Sequence, residues 1–222
     1  HSPQDAKRRR SQVAGGRSGQ SDQGRSEFCL PGHAVAGNAA RPGEFARDLF
    51  TTAMELPVLA IPELYGSKLV AALDRQHPRD WFDVAGMMDG FGLDAEMVDC
   101  FVAYLAGHNR PAHEVLFSND LPLDEIFNID FVGMTAAEIP LQRLIETRQH
   151  IRQELPKVLT DAHRRFLLSF VRAEPNWTLM PFDHLKDLPA IRWKLLNLEK
   201  LRTTNKPRFE LQATELMDRF PR

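Results

Sequence analysis

Residues 62–84, PELYGSKLVAALDRQHPRDWFDV, gather one lysine, two arginines and three aspartates into two predicted helices. Lys68 and Arg75 are seven apart, close to two helical turns, so both leave the same face, and two cations on one face suit a phosphate chain. Asp74 lies to one side. After Gln76-His77-Pro78, Arg79 and Asp80 begin the next helix, and Asp83 follows Asp80 at i+3. Two carboxylates so placed can share a hard cation such as Mg2+, which takes oxygen ligands and needs only one or two protein carboxylates beside phosphate. The same residues also read as an ion network locking two helices together with no ligand at all. Spacing leaves both readings open, with the network ahead.

Two other patterns fail on spacing. His108 and His113 are five apart, whereas a helical zinc pair needs i,i+4. Gly66-Ser67-Lys68 lacks the upstream glycines of a phosphate-binding loop.

The elements that position these groups follow from punctuation and period. Residues 1–45 are rich in Gly, Ser, Gln, Arg and Ala and show no apolar period, so they are expected to be disordered, and the run Lys7-Arg8-Arg9-Arg10 reads as part of a solvated tail. A short helix is expected over 44–52, and MELPVLAIP at 54–62 offers one strand with no readable partner. From Pro62 onward the period is helical. The first helix carries Leu64, Leu69, Val70 and Leu73 on its apolar face, and the second carries Trp81, Phe82, Val84, Ala85 and Met88 before Gly90 and Gly92. Asp94 is a candidate cap for DAEMVDCFVAYLA. Further helices are expected at 113–117, at 124–131, and within 135–155, where Pro140 starts or kinks the helix. Three more follow at 162–173, 190–202 and 206–220, with Trp193 on the apolar side of the second of these. The fold class is therefore mainly α, a helical bundle with at most one strand near 56–61.

The chain has 222 residues and a formal net charge of −2, so any nucleic-acid role rests on a local patch. The basic residues that could make one are His163, Arg164, Arg165, Arg172, Arg192, Lys194, Lys200 and Arg202, which read equally as solvated helix surface. No run approaches the roughly 20 apolar residues of a membrane-spanning helix, so no membrane association and a cytoplasmic location are expected. Cys29 and Cys100 are far apart and read as free thiols.

The wording of 62–84 resembles a motif of the AbiEii/AbiGii-toxin type nucleotidyltransferases, the toxin halves of abortive-infection (type IV) toxin–antitoxin pairs. The strings FVAYLAGHNRP, LTDAHRRFLLSFVRAEPNW and LPAIRWKLLNLEKL also resemble the helical C-terminal region of that family. The resemblance covers roughly 45–220. It implies a nucleotidyltransferase core joined to a helical half, with Mg2+-dependent transfer of a nucleotide from a nucleoside triphosphate to an acceptor, an RNA such as tRNA. A cognate antitoxin is the implied partner. By that resemblance Lys68 would hold the triphosphate and Asp80 would be the catalytic carboxylate. Arg75 and Arg79 would bind nucleotide, and Asp83 would support them. The Gly-rich motif and the Asp-x-Asp pair that hold the metals in such enzymes are missing, so the main Mg2+ ligands are expected to lie outside this chain. The chain is expected to divide into a disordered or out-of-frame tail (1–45), the rest of a nucleotidyltransferase core (46–92) and a helical domain (93–222). The coil-like start suggests a truncated or frameshifted copy, inactive on its own. The competing expectation is a non-catalytic helical module that binds an antitoxin or another subunit.

Overall fold

A proline in the first turn of a helix needs no hydrogen-bond partner for the amide it lacks, and Pro62 and Pro78 each exploit this. In the computed structural model, which describes residues 38–40 and 56–220, helix α1 spans Ile61–Arg75 and ends where Gln76 turns left-handed, with φ of 51°. His77 caps α2 (Pro78–Gly90), its ring accepting from the Arg79 amide. Asp94 caps α3 (Ala95–Gly107) by accepting from the Met97 amide at 2.8 Å. The chain continues through α4 (Ala112–Leu116), α5 (Asp124–Asp130), α6 (Leu141–Val158), α7 (Asp161–Val171), α8 (Pro189–Thr204) and α9 (Lys206–Arg219). The protein is mainly α, as its periodicity predicts.

The expected strand is confined to β2 (Leu56–Val58), and it has a partner that the sequence did not reveal. β1 (Asn38–Ala40) pairs with it antiparallel, with Asn38 opposite Val58 and Ala40 opposite Leu56. The short helix expected over 44–52 lies outside the described residues.

One core runs through the helices. α1 packs most extensively on α3, and α2 lies between α1 and α6. Trp81, Val84 and Met87 of α2 join Leu144, Ile151 and Leu155 of α6 in the buried interior. Phe166 and Phe170 of α7 meet the Trp177 ring at centroid distances of 6.0 and 6.3 Å. Thr160 and His163 form a reciprocal capping box at the start of α7, and the same histidine places Nε2 2.6 Å from an Asp99 carboxylate oxygen, tying α7 to α3.

Three details differ from the sequence expectation. Leu64 is on the exposed rim of α1, and Met87 rather than Met88 fills the core from α2. Trp193 is exposed while its neighbour Lys194 is buried. Pro140 starts α6 as its N-cap, one of the two roles expected for it. Among the described residues no helix is long and apolar enough to cross a membrane.

Candidate functional site in the seam between α1 and α2

The two-residue break at Gln76-His77 folds α2 back against α1, so charges on its two sides meet across the seam. Arg75 Nη2 donates to Asp80 Oδ1, and further out Lys68 Nζ donates to Asp83 Oδ2. Four of the five candidate residues are thus brought together. Arg79 leaves in another direction and donates to the Asp130 carbonyl of α5 at 3.2 Å, while His77 Nε2 sits 3.7 Å from the Asp130 carboxylate. Ser67 Oγ donates to the Leu64 carbonyl one turn back, the habit of a helical serine and not of a phosphate loop.

The two aspartates differ in surroundings. The Asp83 side chain is 39% exposed and that of Asp80 only 12%. Asp80 Oδ2 is fully buried and has no hydrogen-bond partner among the described residues. Burial pushes the Asp80 carboxyl above its ordinary range. Arg75 and His77 pull it back, and the Asp83 charge adds to the rise. A buried carboxylate oxygen without a donor is costly to the fold, since most such atoms in folded proteins are satisfied. The neighbouring Trp81 Nε1 is likewise buried and unpartnered.

Asp74 joins a different cluster. Arg110 Nη1 reaches it at 2.6 Å and His108 Nε2 lies 3.6 Å away, so it fastens α1 to the turn after α3. That turn is held from behind by Lys194 of α8, whose Nζ donates to the carbonyls of Asn109 at 2.7 Å and Arg110 at 3.1 Å. Burial lowers the Lys194 pKa to about 8, against a smaller upward pull from Glu114.

The residue at the hairpin break is a hub that sequence reasoning passed over. Gln76 donates through Nε2 to the Asn119 carbonyl at 2.7 Å and accepts at Oε1 from the Leu121 amide at 3.0 Å. Arg148 of α6 donates to the Leu121 carbonyl at 2.6 Å, and Arg152 donates to Ser118 Oγ at 2.7 Å. The loop between α4 and α5 is thereby stitched to the α1–α2 break. The one local signal for this was a long polar residue at a helix end immediately before His-Pro.

Mg2+ is tested by the donor set. Asp80 and Asp83 are each committed to a protein cation, and among the described residues no group of three or more His, Cys, Asp or Glu side chains is placed to hold a metal ion. Two carboxylates already neutralised by Arg75 and Lys68 do not fit a resident Mg2+. The i+3 spacing put them on one face, but α1 supplies the counter-charge.

A family model described as nucleotidyl transferase AbiEii toxin, type IV TA system, matches residues 34–197, a range that contains the whole seam. No curated protein and no solved structure matches the chain.

Proposed function

This chain belongs to the AbiEii nucleotidyl transferase toxin family of type IV toxin–antitoxin systems, and from that premise we propose that the α1–α2 seam is the phosphate-handling part of a nucleotide-transfer site. Lys68 and Arg75 exchange their carboxylate partners for triphosphate oxygens, and Arg79 adds a cation on the α5 side. In the transfer, an acceptor hydroxyl attacks the α-phosphorus, a new phosphodiester oxygen bond forms, and the bond to the departing pyrophosphate breaks. Asp80 is the catalytic carboxylate that takes the hydroxyl proton, and Asp83 orients Lys68. Such chemistry asks chiefly for positioning and for neutralisation of developing charge. The acceptor is an RNA, and the cognate antitoxin is the protein partner. The family chemistry runs with Mg2+, but the described donors do not fit one, so no step is assigned to it.

The observation that carries this reading is the buried, unpartnered Oδ2 of Asp80. An unsatisfied carboxylate oxygen beside two exchangeable ion pairs can receive a donor or a hydroxyl from a ligand. Titration calorimetry with each nucleoside triphosphate, with and without Mg2+, is the test. Binding that disappears in Lys68→Ala supports the site, and heat signals identical in wild type and variant remove it.

A second reading, a non-catalytic interaction module, is favoured by a separate observation. The segment around α5 exposes Ile129, Val132 and Met134 beside a cleft of about 660 Å3 lined by Phe127, Phe131 and Ile139. Exposed apolar groups gathered around a cleft mark contact surfaces. An antitoxin complex that survives both Lys68→Ala and Asp80→Ala would favour the module.

A further inference from the structure

The basic residues singled out along the C-terminal helices separate into two groups. His163 is paired with Asp99, Arg164 with Asp161 and the Pro156 carbonyl, Arg202 with Glu174, and Lys194 is buried against backbone carbonyls. Arg165, Arg172, Arg192 and Lys200 have no side-chain partner among the described residues, and of these Arg165 and Arg172 line one cleft of about 250 Å3 together with Leu168, Ser169, Asn176 and Leu179.

The cleft is built by the end of α7. Phe166, Leu167, Phe170 and Val171 turn inward, which leaves Arg165 and Arg172 on the outer face, seven residues or about 10 Å apart along the axis. Ala173 then adopts φ of 57° and reverses the chain. The Glu174 amide returns to the Ser169 carbonyl at 3.1 Å and the Asn176 amide to Ser169 Oγ at 3.0 Å, so Asn176 and Leu179 form the opposite wall. Asn176 Oδ1 is occupied by the Thr178 amide and hydroxyl, at 3.2 and 2.7 Å, which leaves its side-chain NH2 as a donor. Glu174, the acid nearest in sequence, is drawn away to Arg202 at 3.4 Å. The lining therefore offers two guanidinium groups and an amide donor, no carboxylate, and two leucines between them.

Donors without acceptors suit an anion, and guanidinium forks suit phosphate oxygens in particular. Two arginines a double turn apart address successive positions of a strand better than one small anion, and the leucines provide an apolar bed for an unstacked nucleotide. Single strands, whose unstacked bases can lie on such an apolar bed, are the usual target of sequence-specific RNA recognition. With a net charge of −2, the chain as a whole has no general attraction for nucleic acid, so binding here is local.

We infer that the α7 cleft holds the phosphodiester backbone of a single-stranded RNA segment through Arg165, Arg172 and Asn176. Its role as the acceptor-strand site rests on the nucleotide-transfer reading, while RNA binding at the cleft stands or falls by itself. The test is fluorescence anisotropy of a labelled oligouridylate with the full chain across a salt series, with folding of every variant checked by circular dichroism. Arg165→Glu/Arg172→Glu is compared with Lys186→Glu/Arg208→Glu, which makes the same charge change at exposed positions outside the cleft. The cleft variant is expected to weaken binding at least tenfold and to reduce the slope of log affinity against log salt by about 1.4, the sum for two single-strand phosphate contacts. The control is expected to shift affinity by less than about twofold on the same reasoning that exposed, uncontacted charges are screened. Equal losses in both double variants, or no binding by wild type at low salt, would overturn the inference. Displacement of RNA by inorganic phosphate at constant ionic strength would also overturn it, by reducing the cleft to a phosphate site. Triphosphate titrations in parallel keep the two readings apart. If the cleft variant loses RNA and keeps nucleotide, both stand; if wild type binds RNA through the cleft but no nucleotide, the seam reading fails alone.

Discussion

On its α3 side, helix α1 approaches so closely that a methyl group added at Gly66 would meet the Phe101 backbone nitrogen at 2.7 Å and Cys100 Cβ at 2.8 Å. Glu63, fully buried, accepts from the Tyr104 hydroxyl at 3.1 Å in the same interface, and burial followed by the Glu63 charge pushes the Cys100 thiol up to about 12. On its α2 side the same helix offers half-exposed Lys68 and Arg75 to aspartates. The first contact is backbone against backbone and cannot adjust without moving a helix. The second is made of flexible side chains whose pairing in water contributes little, so a ligand can replace one partner at small cost. One helix thus joins a rigid frame to an exchangeable surface, and only the exchangeable side leaves a buried oxygen unsatisfied.

The largest expected effect tests the rigid side. Gly66→Val forces the α1 and α3 backbones apart and should lower unfolding free energy in urea by more than about 3 kcal/mol. A loss under about 1 kcal/mol would mean that the close approach is looser than its geometry implies.

Lys194 gives the next effect, behind the turn that leaves α3. Its folded pKa of about 8 lies below its ordinary value of 10.5. Between those values the unfolded chain binds more protons, so stability should rise with pH across that window, by up to about 3 kcal/mol for this group. Urea midpoints of wild type minus those of Lys194→Met, measured from pH 7 to 10.5, should show the rise. A flat difference would place the ammonium in water.

The seam should respond oppositely. Lys68→Ala is expected to change stability by less than about 1 kcal/mol, as for other half-exposed ion pairs, while weakening triphosphate binding at least tenfold, about 1.4 kcal/mol. A stability loss comparable to that of Gly66→Val would make the seam a lock and erase the contrast.

Asp80→Asn should have the smallest effect on stability. A carboxyl whose folded pKa is raised favours the folded state while protonated and loses that advantage as pH rises through the folded value. The variant should therefore be as stable as wild type or slightly more so at neutral pH, by under about 1 kcal/mol. The difference should close on acidification, when calorimetric midpoints are followed from pH 7 to 4. Destabilisation at pH 7 would show that the Arg75 pairing outweighs burial.

Much of the architecture was legible because helices are local objects. Pro62, Pro78, Asp94, Thr160 and Pro189 mark starts that the structure reproduces at or beside those positions, since caps and prolines act on the amides of the same turn. The 3.6-residue period likewise identified Leu69, Leu73, Trp81 and Val84 as interior. The pairing of Lys68 and Arg75 with aspartates across the break was also within reach, because the hairpin is only two residues wide.

What the sequence by itself determined is therefore the mainly helical class, most of the helix boundaries and which charges share a face. Tertiary structure decided who meets whom: β1 with β2, Asp74 with Arg110 and not with the seam, Gln76 with the loop before α5, Lys194 in the interior beside an exposed Trp193. It also decided that, among the described residues, the Arg165 and Arg172 side chains stay unpaired while those of Arg164 and Arg202 do not. The reason is one of range. Propensity, capping and period act over a few residues, whereas the partner of a side chain depends on segments far along the chain, whose approach is set by the packing of the whole core.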